Sequence, residues 1–238
     1  MRLIHLYHDL MNLYGDYANV AAMQRLLEKS GAQVTVDKVR LGGDIQLDGC
    51  DFLYIGSGTE KNMRVALEDL RRCTDALRAY IDSGRVLLLT GNAFEMLGNS
   101  ITDAHGVRTE GLGMLDFAVT EQNKTRMTAD VVYHCDFLTQ PLVGFVNKCS
   151  DIRGVPTPLF TVEMGLGNTE NDRYEGVRVQ NCFGTHLTGP VLIKNPHFLE
   201  YLAGKLLGAP PETAWMTHER AGYEVTLHER RMREGAER

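Results

Sequence analysis

The run Val86-Leu87-Leu88-Leu89-Thr90, followed at once by Gly91-Asn92-Ala93-Phe94-Glu95-Met96-Leu97-Gly98, constrains the chain more than any other segment. The first half is uniformly apolar and bounded by Gly84 and Gly91, the pattern of a strand buried on both faces. The second half is a turn of small residues leading into an expected helix. Many α/β enzymes mount a nucleophile where a strand turns sharply into a helix. The strained turn holds the side chain out over backbone N–H groups that can stabilise an oxyanion. Such an apex needs Ser, Cys or Asp, and here it is Gly91, flanked by Thr90 and Asn92. By geometry alone the segment also fits an anion-binding nest at a helix N-terminus, or a plain tight turn.

The segments before it set the rhythm. Leu3 to Tyr7 reads as a first buried strand, Asp9 to Asp16 as a loop, and Tyr17 to about Ser30 as a helix with Val20, Met23, Leu26 and Leu27 on one side and Gly31 beyond its end. Val34, Val36 and Val39 suggest a second strand and Phe52-Leu53-Tyr54-Ile55 a third. After Gly56-Ser57-Gly58-Thr59 a long helix is expected, with Ala66, Leu70, Cys73, Leu77 and Tyr80 at helical spacing until Gly84. Cys73 on that stripe reads as core filler. Strand, helix, strand predicts a parallel sheet.

From about Gly111 to Thr185 short apolar runs such as Val131-Val132-Tyr133 alternate with Gly, Asn and Asp turns, which points to antiparallel strands. A last helix from His197 to Leu207 stops at Gly208 and Pro210-Pro211. The expected fold class is therefore α/β: one domain over residues 1–208, with a central, mostly parallel sheet flanked by helices and additional antiparallel strands in the C-terminal half. Residues 209–238 form a charged tail, readable as a solvated helix, a partner-docking segment or disorder.

Composition narrows the function classes. In 238 residues, 43% hydrophobic content is enough for a full core. The 25 basic against 31 acidic residues leave a net charge of −6 with no dense basic stretch before the C-terminus, so nucleic acid and anionic membrane are poor partners. The five cysteines form neither a CxxC pair nor a zinc spacing, as expected of reduced thiols in a cytoplasmic protein, and no metal or cofactor is expected. No segment reaches membrane-spanning length.

A second informative stretch runs from Asn181-Cys182-Phe183-Gly184-Thr185-His186-Leu187-Thr188-Gly189-Pro190 to Lys194-Asn195-Pro196. Cys182 and His186 cannot pair within one strand, since four residues at about 3.3 Å each span about 13 Å. His186 alone reads more readily as a hydrogen-bonded structural histidine than as a base.

Taken together these residues resemble a known family. Asn12-Leu13-Tyr14-Gly15-Asp16-Tyr17-Ala18-Asn19 is similar to the N-L-Y-x-D-x-G-N opening of the glutaminase subunit (GatD type) of lipid II isoglutaminyl synthase, a relative of the cobyric-acid-synthase-like glutamine amidotransferases. Ile55-Gly56-Ser57-Gly58, Glu110-Gly111-Leu112-Gly113-Met114-Leu115-Asp116-Phe117, and Gly184-Thr185 through Gly189-Pro190 to Lys194-Asn195 follow in the same order. The resemblance covers about Leu3 to Leu207.

It implies a class I amidotransferase fold in which an elbow cysteine attacks the side-chain amide of glutamine and a histidine from a later loop acts as base. The family elbow C-G-G-Y-Q-x-L-G corresponds to Gly91–Gly98, so the nucleophile position is Gly91. The motif G-T-Y-L-H-G-P corresponds to Gly184–Pro190, so the base position is Thr188, with His186 at the neighbouring tyrosine position. The resemblance makes Gly58 an oxyanion-loop residue, puts Asn92 and Glu95 on the elbow, and matches Arg126 of Thr125-Arg126-Met127-Thr128 to a family arginine. Gly58, Asn92, Glu95, Arg126 and His186 are thus the candidate substrate-binding residues.

The resemblance also implies a Mur-ligase-like ATP-dependent partner subunit that uses ammonia to amidate a peptidoglycan precursor. Three roles are open to a chain lacking the cysteine and histidine. It could be a catalytically degenerate partner or regulatory subunit. It could be an amide hydrolase using relocated groups such as Thr90 and His186. It could be a stand-alone binder of glutamine or a related small ligand in space left at Gly91.

Overall fold

The computed structural model describes residues 1–122 and 126–237, with side chains to residue 233. The N-terminal half alternates as expected: β1 (Arg2–Leu6), α1 (Tyr17–Lys29), β2 (Thr35–Val39), β3 (Phe52–Ile55), α2 (Glu60–Leu70), α3 (Thr74–Asp82) and β4 (Val86–Thr90). Thr59 caps α2, its hydroxyl accepting from the Asn62 N–H. The single long helix expected from Thr59 to Gly84 is broken at Arg71–Cys73 into a 3-10 turn. The cause is local: the Thr74 hydroxyl donates to the Arg71 carbonyl at 2.8 Å and Cys73 Sγ sits 3.2 Å from the Leu70 carbonyl. Both compete with the helix ladder.

After β4, Gly91–Leu97 is a 3-10 segment rather than the expected α-helix. The carbonyls of Met96, Leu97 and Gly98 accept instead from the N–H groups of Leu112, Met114, Leu115 and Gly113. The loop Gly111–Leu115 therefore takes over the acceptors that a longer helix would use.

The remaining strands are β5 (Ser100–Thr102), β6 (Arg108–Glu110), β7 (Ala118–Glu121), β8 (Met127–His134), β9 (Leu142–Lys148), β10 (Ser150–Arg153), β11 (Phe160–Met164), β12 (Tyr174–Glu175), β13 (Val177–Val179), β14 (Cys182–Thr185) and β15 (Leu187–Thr188). They are followed by α4 (Val191–Lys194), α5 (Pro196–Leu207) and α6 (Thr217–Glu237). The central sheet has the order β13-β14-β4-β3-β1-β2 and is parallel except for β13. One face packs Ile4, Leu53, Ile55, Leu87 and Leu89 against Met63, Leu67 and Leu77 of α2 and α3. The other packs Leu3, Phe52, Tyr54 and Leu88 against Met23 and Leu27 of α1 and Phe198 and Leu202 of α5. At about 25 cal/mol per Å2, this two-sided burial of aliphatic side chains drives the fold.

Two further sheets, β10-β7-β5-β6 and β12-β11-β8-β9-β15, make up the second half. β14 belongs to the central sheet and β15, two residues later, pairs with β9 in the third, so His186 stands at the corner between them. α6 lays Tyr223 and Leu227 on Val132 and Val143 of the third sheet, and the Tyr223 hydroxyl donates to the Pro141 carbonyl at 2.8 Å. No helix among the described residues is long and apolar enough to cross a membrane.

Candidate functional site

Parallel strands bring their carboxyl ends together, so the loops after β3, β4 and β14 meet at one place. Gly91 occupies the apex with φ +60°, the left-handed conformation of a strained strand-to-helix turn. A Cβ placed there would lie 2.2 Å from Ser57 Cβ. The space expected at Gly91 is thus absent, because the Ser57 side chain already fills it.

Ser57 is fixed from behind. Its N–H and its hydroxyl both donate to Asp16 Oδ2 at 2.6 Å. Thr90 Oγ1 lies 2.7 Å from the Tyr54 hydroxyl and donates more weakly to Asp16 Oδ1 at 3.5 Å. Asn19 donates to the Tyr54 hydroxyl and accepts from the Leu192 N–H, both at 2.8 Å. Burial pushes the Asp16 carboxyl up to about 6, against the opposing pull of the Ser57 bonds.

In front of the apex, the groups that the family resemblance marks for chemistry are each bonded to a protein neighbour. The Gly58 N–H, the implied oxyanion donor, donates to Asn92 Oδ1 at 3.0 Å, and Asn92 Nδ2 returns a 3.0 Å bond to the Gly58 carbonyl. Thr188 at the base position donates its hydroxyl to the Phe145 carbonyl at 2.9 Å. Glu95 Oε1 accepts from Ser150 Oγ at 2.6 Å and pairs with His186 Nε2 at 2.9 Å. His186 Nδ1 lies 3.4 Å from Glu175 Oε1, and the ring packs edge-on against Phe94. Arg126 is held by Glu60 Oε1 at 2.5 Å and by Asn147 Oδ1 at 2.6 Å.

The cleft left among Tyr14, Gly91, Asn92, Arg126, Lys148 and Thr188 has a volume of about 10 Å3. That is room for about one water molecule and not for an amino acid. Cys149 also lines it, with Sγ 3.3 Å from Glu60 Oε1. Burial, reinforced by Glu60, pushes its thiol up to about 12, so it is no substitute nucleophile at neutral pH. Lys148 is buried too and donates to the Gly167 and Asn168 carbonyls at 2.6 and 2.7 Å. Burial lowers its amine from the usual range. No group of His, Cys, Asp and Glu suited to a metal is found among the described residues.

All five candidate binding residues, Gly58, Asn92, Glu95, Arg126 and His186, border this one cleft, as do Gly91 and Thr188. Thr125, beside Arg126, falls outside the described residues. Thr90 and His186 are not brought together: the threonine is bonded to Tyr54 behind the elbow and the histidine to Glu95 in front of it. Cys182 is buried at the far end of β14. Sequence reasoning missed Glu60, Lys148, Ser150 and Glu175. Glu60 alone carried a local signal, an acidic residue in the first turn of a capped helix.

A sequence profile of the CobB/CobQ-like glutamine amidotransferase domain matches residues 2–196. The chain belongs to that family. Among its relatives, the lipid II isoglutaminyl synthase (glutamine-hydrolyzing) subunit GatD of Staphylococcus aureus strain N315 is 32% identical over 205 residues, 86% of this chain and 84% of the relative. The GatD subunit of Streptococcus pneumoniae strain R6 is 32% identical over 197 residues, 82% and 76% of the two chains. The amidotransferase fold is shared with two solved structures. One is a glutamine amidotransferase with TM-score 0.57 and 16% identity, covering 87% of this chain and 99% of the other. The second, from Thermotoga maritima, has TM-score 0.56 and 13% identity, covering 99% and 94%. The family and the fold are thus shared along most of the chain, with Gly91 at the apex of the turn after β4.

Proposed function

We propose that this chain is a glutamine amidotransferase-like subunit that does not itself hydrolyse glutamine. It acts as a partner or regulatory subunit of a Mur-ligase-like, ATP-dependent protein in the amidation of a peptidoglycan precursor. The likeness to GatD subunits along most of the chain supports the setting. The observation that carries the loss of hydrolysis is the contact between positions 57 and 91: the serine side chain occupies the place of the missing nucleophile.

Three further contacts support the same reading. The implied oxyanion donor is bonded by Asn92, the implied base position by a backbone carbonyl, and Arg126 by Glu60. Each would have to break before glutamine could be bound, and a charge-assisted bond such as Arg126 to Glu60 is among the stronger ones. Relocated catalysis has less support: the Thr90 hydroxyl is bonded to Tyr54 at 2.7 Å, its one carboxylate neighbour, Asp16, lies 3.5 Å away and already takes two bonds from Ser57, and a neutral hydroxyl is a weak nucleophile.

The test is ammonia release from glutamine by the purified chain, alone and with a Mur-ligase-like protein from the same organism. No release in either case, together with co-purification of the two proteins, is the expected result. Release that disappears in Thr90→Ala or His186→Ala would overturn the proposal.

A further inference from the structure

A second cavity, of about 590 Å3 against about 10 Å3 for the cleft before Gly91, opens where β8 and β11 part, and the two share no lining residue. The strands pair as far as His134 and Thr161. Beyond that point the chain before β11 turns to β12 and β13 instead: the Leu159 N–H donates to the Glu175 carbonyl at 3.1 Å, and the Arg178 N–H to the Thr157 carbonyl at 2.9 Å. Asp136, Pro156, Pro158, Tyr174 and Arg178 line the opening that results. Strand alternation in β12 keeps it apart from the cleft. Tyr174, 51% exposed, lines the cavity, whereas the neighbouring Glu175, 0% exposed, accepts from the Thr185 hydroxyl and the His186 N–H.

Arg178 is held firmly in this cavity, yet its N–H groups have no close acceptor. The Thr157 carbonyl accepts from its backbone N–H, and the Thr157 hydroxyl donates to its carbonyl at 2.6 Å, which pins the main chain. The guanidinium carbon stands 4.3 Å from the centre of the Phe137 ring and 5.5 Å from that of Phe183, so ring contact sets the side chain in place. The polar contacts of the guanidinium are all long: 3.4 Å to the Gln180 carbonyl, 3.4 Å to Asp136 Oδ1 and 3.3 Å to the Tyr201 hydroxyl. A good N–H···O bond measures about 2.7 to 3.2 Å. Asp136, the one carboxylate paired with Arg178 among the described residues, has 89% of its side chain exposed, so water screens the pair. A guanidinium held by rings, with its donors short of close acceptors, is prepared for a bidentate oxyanion.

We propose that this cavity binds a phosphate ester of mononucleotide size that carries a flat ring, with the phosphate on Arg178 and the ring against Tyr174. Tyr174 offers a half-exposed aromatic face, and Pro156 and Pro158 add apolar surface beside it. The volume falls within the range of small-molecule sites and exceeds what a bare phosphate needs. Asp136 makes no other side-chain bond among the described residues, so its exposed carboxylate can give way to the incoming phosphate. A neutral nucleoside would leave the Arg178 donors unanswered. The cavity is separate from the elbow, so the inference stands whether or not glutamine is hydrolysed.

The experiment is calorimetric titration of the full-length chain with adenosine monophosphate, uridine monophosphate, adenosine and inorganic phosphate at equal ionic strength. Both nucleotides should saturate a single site. Adenosine and inorganic phosphate, each carrying one half of the ligand, should bind at least about tenfold more weakly. Arg178→Lys keeps the charge and loses the fork, and should weaken adenosine monophosphate about tenfold. Tyr174→Ala should weaken it at least about fivefold, and this half-exposed position decides the matter should the arginine variant not fold. Absence of saturable binding by either nucleotide, adenosine or inorganic phosphate matching adenosine monophosphate, or undiminished affinity in either folded variant would each overturn the inference.

Discussion

Behind Gly91, hydrogen bonds run from Asn19 through Tyr54 to Thr90 and from Asp16 to Ser57, tying α1, β3 and β4 to α4. In front of it, Asn92, Glu95, Arg126 and Thr188 are each bonded to a protein neighbour. The rear network is built of groups within or next to regular elements, and it fixes where the loops go. The front is built of side chains reaching across sheets, and it decides what can enter. A fold can keep the first while the second is rewritten, because the first sets stability and the second sets chemistry.

The sharpest test of this contrast lies at the rear. Asn19→Ala would leave the Leu192 N–H unpaired in the core and should cost about 3 kcal/mol, seen as a fall of roughly 6 to 12 °C in melting temperature. Gly91→Cys comes next. Overpacking against Ser57 and a side chain at φ +60° together should cost about 2 to 3 kcal/mol, and Ser57→Gly in the same chain should recover more than half of it in denaturant titration. Neither variant should release ammonia from glutamine while Thr188 remains.

A pH series sharpens the comparison further. The folded state holds the Asp16 proton up to about pH 6, against about 4 for an unfolded aspartate. The contribution of this group is therefore fully present below about pH 4 and is lost as pH rises through 6, by about 3 kcal/mol in all. Asp16→Asn, which keeps an acceptor for the Ser57 N–H, should flatten that slope in melting curves between pH 4 and 7. The smallest effect belongs to the front. Arg126→Ala breaks a half-exposed pair and should change stability by less than about 1 kcal/mol. A loss as large as that of Asn19→Ala would erase the distinction between the two sides.

The difference also explains what could be read from the residues in order. β1, β3 and β4 announce themselves as short apolar runs because both faces of the central sheet are covered, and α1 shows its apolar stripe and terminal glycine. The break at Arg71–Cys73 and the 3-10 course of Gly91–Leu97 were not legible. Each depends on a competitor for carbonyl oxygens, a nearby hydroxyl in one case and a distant loop in the other. Within the site, the positions that the resemblance assigns to a cysteine and a histidine, Gly91 and Thr188, could be placed by motif, but the neighbours that hold them could not. Ser57 and Gly91 are 34 positions apart, and Ser150 meets Glu95 only because β10 is folded back beside the elbow. Residues 209–238 suggested several fates by composition alone, and the apolar positions that dock α6, Tyr223 and Leu227, are too sparse in a charged stretch to announce a buried face.

The 2.2 Å meeting of Ser57 with a hypothetical side chain at position 91 has an evolutionary consequence. A side chain arriving at 91 is opposed by the serine already there, and shortening Ser57 without one leaves a gap beside Gly91. The two changes are favourable only as a pair, so positions 57 and 91 work like a ratchet: each tooth is a small steric cost, and selection acting on one codon at a time meets it before the second change can relieve it.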